Sequence, residues 1–156
     1  MEEESDEQRD KRRINENLLC IKPEELTSFL CQHEKMMFTG SRPFAEYMRR
    51  KIKEKRLLQQ NVFLAADLSE NYGYKLIAEE KHTRQRDVIL RLCLASHFTI
   101  SETENALLCY SMAPLDGRFP RDAILLVAMN NKIYDMQRIN QLLEVHGYPP
   151  LLRDYR

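Results

Sequence analysis

The sequence contains little glycine and little proline, four and six residues respectively in a chain of 156. Both residue types interrupt regular structure, so their scarcity predicts short loops. The chain also lacks a run in which branched apolar residues alternate with polar ones, the usual pattern of a half-buried strand. These absences predict an all-α protein, and the length is sufficient for a buried core.

Long apolar segments and paired cysteines are also missing. The longest apolar run, residues 124–129, is far shorter than a membrane-spanning helix. The first residues are acidic and no apolar core follows them, so we expect neither a signal peptide nor a membrane partner. None of Cys20, Cys31, Cys93 and Cys109 belongs to a C-x-x-C pair, and the last two lie in apolar helical patterns. Buried, reduced thiols suit the cytosol, and we therefore predict a cytoplasmic protein.

The sequence has none of the spacings that catalytic or metal sites require. Its four histidines are scattered, and none forms an H-E-x-x-H motif. There is no glycine-rich phosphate loop. Ser96 and His97, and the acidic pair Glu79 and Glu80, are sequence neighbours, and neighbours on a helix do not face each other. We therefore expect no enzyme, no metal site and no cofactor.

The net charge is zero, but the charges are unevenly distributed. Residues 1–16 carry seven acids and four bases, and residues 99–156 carry seven acids and six bases. Residues 42–91 carry twelve bases and seven acids, a net charge of +5. A basic middle could face phosphate or an acidic protein, although a solvated helix surface is the simpler interpretation.

Two stretches resemble each other: RDVILRLCLA, which begins at Arg86, and RDAILLVAMN, which begins at Arg121. A shift of thirty-five positions (86 to 121) aligns further residues of the two copies. These pairs are Asn105 with Asn140, Leu107 with Leu142, Leu108 with Leu143, and Pro114 with Pro149. The pattern predicts a helical hairpin that occurs twice, and such hairpins bury their apolar faces by stacking.

Composition divides the chain into four parts. Residues 1–22 form a charged tail, and residues 23–41 contain a helix that begins at a proline and then a linker. Residues 42–115 form the main domain, and residues 116–156 form a helical hairpin packed on it.

The main domain begins with a helix over residues 43–55. Phe44, Met48 and Ile52 recur every four residues, which indicates one buried face. The other side of this helix is basic: Arg49, Arg50, Lys53 and Arg56. It suits either an outer surface in water or a position near a phosphate backbone.

Two short helices are predicted next, over residues 59–66 and 70–78. The first buries Val62, Phe63 and Ala66, and the second directs Tyr72 and Leu76 inward. Residues 67–69 form the turn between them, and Ser69 caps the second helix. Two helices joined by a turn of this length are typical of a helix-turn-helix.

The segment LLQQNVFLAADLSENYGYKLIAEEKHTRQRDVILRLCLA resembles the lambda-repressor-like, or XRE-type, helix-turn-helix family of small bacterial transcriptional regulators. The matching residues are Gln59 or Gln60, Ala66, Leu68, Ser69, Tyr72 and Leu76. The resemblance covers roughly residues 25 to 152. It implies a helix-turn-helix bundle with an added N-terminal helix and a C-terminal helical hairpin.

The resemblance also implies binding of double-stranded DNA, in which the start of the third helix enters the major groove. Carried over, the contacting residues are Ser69, Glu70, Asn71, Tyr74 and Lys75, with Gln59 or Gln60 at the DNA backbone and Lys75, Lys81, Arg84 and Arg86 near phosphates. A homodimer is expected, because the operators of such proteins are usually twofold symmetric.

The sequence departs from the family at the turn and in the reading helix. Asp67 stands where glycine is usual, Glu70 adds a second acid, and Gly73 interrupts the reading helix. No arginine lies between residues 67 and 78, although arginine is the commonest partner of guanine. The alternative is a helical protein-interaction module, an adaptor or regulator that keeps the fold without binding DNA. A small repeat scaffold is a third possibility, but two hairpins are few for one.

Overall fold

The computed structural model describes residues 4–153, and this part of the chain is all-α, as predicted. The helices are α1 (Asp6–Leu18), α2 (Leu26–Gln32), α3 (Pro43–Glu54), α4 (Gln59–Ala66), α5 (Glu70–Ile77), α6 (Arg86–Ala95), α7 (Ile100–Cys109), α8 (Pro120–Asn130) and α9 (Met136–Val145). Short 3-10 turns at Pro23–Glu25 and Glu34–Met36 flank α2. The chain forms two compact units, of which the first ends at Ser41 and the second begins at Arg42.

The first unit contains α1 and α2. Helix α1 begins with a capping box, in which the Ser5 hydroxyl accepts from the Gln8 backbone and the Gln8 side chain accepts from Ser5. No residue of α1 is buried, which agrees with its charged sequence. In α2 the buried side chain is Phe29, whose ring stacks on His33 with centroids 4.1 Å apart.

The core of the second unit is built on α6. All of its residues from Asp87 to Ala95 are buried, because other helices cover it on every side. Helix α6 packs against α4, α7 and α9, while α3 packs against α5 and α7. The inward faces predicted for the first three helices of this unit are confirmed: Phe44, Met48, Ile52, Val62, Phe63, Ala66, Tyr72 and Leu76 are all buried.

The cysteines differ in environment. Cys93 and Cys109 are buried in the core of the second unit, as predicted, whereas Cys20 and Cys31 are exposed. Burial raises the pKa of the Cys93 thiol, so this side chain stays protonated and packs as a small apolar group.

The repeated Arg-Asp pairs bind each other across the two hairpins α6–α7 and α8–α9. Arg86 donates to both carboxylate oxygens of Asp122 at 2.9 Å, and Arg121 donates to those of Asp87 at 2.7 and 2.9 Å. Helix α6 also contacts α9, and α7 contacts α8. Such reciprocal contacts are the mark of a twofold relation, here between two parts of one chain.

Each arginine of this cluster also fixes the segment that follows its own hairpin. Arg86 donates to the carbonyls of Ala113 and Pro114, and Arg121 donates to those of Pro149 and Pro150. The predicted phosphate contact of Arg86 is therefore wrong, because its guanidinium is engaged inside the fold.

The second helices of the two hairpins are offset by thirty-six positions rather than thirty-five. Thr99 caps α7 and Asp135 caps α9 (99 to 135), so the alignment of Asn105 with Asn140 is one residue out of register. The cause is one extra residue, Tyr134, in the second connection. Its ring stacks on His97 of the first connection, with centroids 4.7 Å apart.

Candidate nucleic-acid interface

Helices α4 and α5 are joined by a three-residue turn, Asp67 to Ser69. Asp67 adopts a left-handed conformation with φ 56° and ψ 45°. Its backbone N–H donates to Leu64, and the N–H of Leu68 donates back to Phe63, which closes α4 with a Schellman motif. The Ser69 hydroxyl then accepts from the Tyr72 N–H at 3.3 Å and starts α5, so the predicted cap is confirmed.

One side of α5 is buried and the other faces solvent. Leu68, Tyr72, Leu76 and Ile77 lie in the core. The opposite side, which we name the outer edge of α5, consists of Ser69, Glu70, Asn71, Tyr74 and Lys75. The first four are exposed and Lys75 is half-buried. All five are sequence-predicted site residues, and the fold brings them together on one surface.

The start of α4 is connected to the outer edge of α5. The Gln60 side-chain amide donates to the Glu70 carboxylate at 2.9 Å. Gln60 is exposed and Gln59 is half-buried. A residue predicted to contact the DNA backbone and a residue predicted to contact bases are therefore in direct contact.

Gly73 allows α5 to approach α4 closely. A Cβ atom at this position would lie 2.4 Å from a ring carbon of Phe63. Since real contacts of this kind are never so short, the site requires glycine despite its poor helix propensity. The apparent departure from the family pattern at Gly73 therefore has a packing reason.

The C-terminal end of α5 is fixed to the first turn of α3. The Arg42 guanidinium donates to the carbonyl of Ala78 at 3.1 Å, and the Glu79 carboxylate accepts from the N–H of Ala45 at the same distance. Arg42 itself provides no side-chain cap for α3, so Glu79 fills that role. The Glu79 carboxylate therefore has a structural contact within the fold.

The loop after α5 carries two of the predicted phosphate contacts. Lys81 and Arg84 are exposed, and the Lys81 ammonium lies 5.9 Å from the centre of the Tyr72 ring. Between them, Thr83 is buried and its N–H donates to the Tyr110 hydroxyl at 2.8 Å. This anchor orders the loop and leaves its two cations on the surface.

The basic side of α3 is divided between surface and interior. Arg49, Arg50, Lys53 and Arg56 are exposed. Lys51 and Lys55 instead bind the Glu102 carboxylate of α7, at 3.6 and 2.8 Å. Burial opposes ionisation of Glu102, but the hydrogen bonds from Lys55 and from the Thr99 N–H, together with the charges of the two lysines, outweigh it and lower the pKa of its carboxyl group.

The segment after α9 crosses to the turn between α4 and α5. We name residues 149–153 the strap. Its backbone is held by Asn140, which accepts from Leu151, by Asp87, which accepts from Leu152, and by Arg91, which donates to the carbonyls of both leucines.

At the end of the strap, the Arg153 guanidinium forms an ion pair with Asp67. Buried Arg91 also donates to the carbonyl of Ala66, so the strap and the end of α4 share one anchor. Sequence reasoning missed the pair of Arg153 and Asp67 because the two residues are eighty-six positions apart, and no local pattern relates them.

Within residues 4–153, no three His, Cys, Asp or Glu side chains are grouped so that they could hold a metal ion. No helix in this range is long and apolar enough to cross a membrane.

Comparisons with family models, with curated proteins and with solved structures each gave no match. The likeness to lambda-repressor-like regulators therefore stays a prediction from the residues.

Proposed function

We propose that this protein binds double-stranded DNA through the outer edge of α5, as a transcriptional regulator of the helix-turn-helix type. The observation that carries the proposal is the pairing of a closed, three-residue turn with an exposed polar helix edge. The buried side chains of Leu68 and Tyr72 anchor α5 to the core, and its outer edge is open to solvent. An eight-residue helix presented in this way has the dimensions that the major groove admits.

The chemistry of the outer edge is compatible with base recognition. The amide of Asn71 can pair with adenine at two points, and the carboxylate of Glu70 can accept from a cytosine amino group. The hydrogen bond from Gln60 supports this role for Glu70, because it partly orders the carboxylate before DNA is bound.

Cations occur within the proposed reading helix and on both sides of the helix-turn-helix in the sequence. Lys75 lies in the last turn of α5, Lys81 and Arg84 follow α5, and Lys53 and Arg56 precede α4. Phosphate contacts from such groups would supply most of the affinity and make it strongly dependent on salt. A basic central segment in a chain of zero net charge supports a local rather than a general attraction to DNA.

The alternative proposal is a protein-interaction module of the same fold. It is favoured by three large apolar side chains of the last hairpin that remain exposed, namely Phe119, Val127 and Val145. Val127 and Val145 are 62% and 81% exposed. Association through such groups would depend weakly on salt, whereas DNA binding should weaken steeply.

Selection of random duplexes by the purified protein at low and moderate salt tests the proposal. The expected result is an enriched sequence whose affinity falls steeply between the two salt concentrations. Failure to enrich any duplex at either concentration would reject DNA binding and favour the interaction module.

A further inference from the structure

We propose that Arg153, carried by the strap, is a positioning residue of the DNA interface that cancels the charge of Asp67 at the turn. The inference rests on the proposed function and names a contributor that lies outside the helix-turn-helix segment. Its basis is the ion pair between Arg153 and Asp67 together with the four hydrogen bonds that hold the strap.

Asp67 creates an electrostatic problem for a DNA-binding turn. It lies two residues before Ser69, where the outer edge of α5 begins, and its side chain is 59% exposed. A carboxylate there would lie within a screening length of the approaching phosphates, since that length is about 10 Å at 0.1 M salt. Left alone, it would oppose binding.

Arg153 removes this problem without adding a residue to the reading helix. Its guanidinium meets the carboxylate directly, so the pair presents little net charge. The charge of Asp67 is therefore compensated by Arg153, although no arginine lies between residues 67 and 78.

The strap holds Arg153 close to Asp67. An exposed ion pair usually gains little, because two flexible side chains must be ordered for it. Here the backbone of Leu152, the residue before Arg153, is already fixed, because its N–H donates to Asp87 and its carbonyl accepts from Arg91. Buried Arg91 also binds Ala66, the residue before Asp67, so the two partners are attached to the same support.

The contact is electrostatic rather than structural, and this distinguishes it in an experiment. Both side chains are substantially exposed, so its loss should change the melting temperature little. Asparagine tolerates the left-handed conformation as aspartate does, so Asp67→Asn should preserve the turn.

The test compares the duplex affinity of the full chain with that of Arg153→Gln, Asp67→Asn, the double variant and Arg153→Lys at low salt. Arg153→Gln leaves an uncompensated acid and should weaken binding by about threefold to tenfold, on the scale of one nearby charge. Asp67→Asn should strengthen it by a similar factor. The double variant and Arg153→Lys should bind like the unchanged protein, and all differences should shrink at high salt.

Three outcomes would overturn the inference. Equal affinity in all five proteins would show that Arg153 does not act on the interface, while leaving DNA binding intact. Tighter binding by Arg153→Gln would mean that the strap obstructs the outer edge of α5. No duplex bound by the unchanged protein would reject the proposed function, and the role of Arg153 with it.

Discussion

Arg121 of α8 donates hydrogen bonds of 2.7 and 2.9 Å to the two carboxylate oxygens of Asp87 in α6. These bonds connect the last helical hairpin to the one before it. The pair is shielded from water, with side-chain exposures of 24% and 11%. Its counterpart, Arg86 with Asp122, repeats the arrangement in the opposite direction. The repeated Arg-Asp dipeptide in the sequence is thus explained by one reciprocal contact.

Arg121→Gln should destabilise the fold by about 3–5 kcal/mol, the usual cost of leaving the charge of one partner unpaired in a largely buried ion pair. The neighbouring pair of Arg118 and Asp116 offers a matched control, because the Arg118 side chain is 88% exposed. Arg118→Gln should cost less than about 1 kcal/mol. Urea unfolding of both variants measures the difference, and equal losses would contradict the proposed importance of the buried cluster.

The carboxylate of Glu102 should make the stability depend on pH. Its pKa is lowered in the folded protein, so it contributes stability above the unfolded pKa of about 4.3, and that contribution is lost as the pH falls through the folded value. Glu102→Gln retains an acceptor for the Thr99 N–H but loses the attraction to Lys51 and Lys55.

We therefore expect Glu102→Gln to cost about 1–3 kcal/mol near neutral pH, the scale of hydrogen bonds to charged groups. This deficit should shrink below about pH 4. Glu104→Gln, on the far side of the same helix, is the control. Denaturant unfolding from pH 7 to pH 3 measures all three proteins, and a deficit that stays constant with pH would exclude the ion pairs as its source.

Gly73→Ala should destabilise the protein although alanine favours helices. The added methyl group would meet the Phe63 ring at 2.4 Å, and overpacking of this kind costs about 1–3 kcal/mol. Gly117→Ala is the control, because its nearest neighbour, Leu126, lies at an ordinary 3.7 Å. Thermal melting compares them, and combining Gly73→Ala with Phe63→Leu should recover part of the loss. A stable Gly73→Ala protein would show that the two helices can separate at little cost.

Two sets of changes separate the surface of α5 from its core face. Asn71→Ala with Lys75→Ala should abolish binding to a selected duplex while the melting temperature falls by no more than a few degrees. Tyr72→Ala should instead destabilise the domain by about 3–5 kcal/mol, because its aromatic ring is buried. Electrophoretic shift and calorimetry measure the two effects. Unchanged duplex affinity in the first variant would remove both residues from the interface.

The helices of the second unit could be predicted from the sequence because their signals are local. A spacing of four residues identified the buried faces of α3, α4 and α5, and Ser69 marked the start of α5. The outer edge of α5 followed from the same periodicity, since residues opposite a buried face are exposed. That this edge is open to solvent, however, depended on where α8, α9 and the strap lie.

What the amino-acid sequence determined alone was the helical periodicity, the positions of the breaks and the existence of a repeated Arg-Asp hairpin. Tertiary structure decided the rest: that Arg86 binds Asp122 instead of facing outward, that Glu79 caps α3, that Gly73 makes room for Phe63, and that Arg153 reaches Asp67. The physical reason is range. Helix periodicity and caps act over a few neighbouring residues, whereas these contacts join positions ten to eighty-six apart that only the packed core brings together.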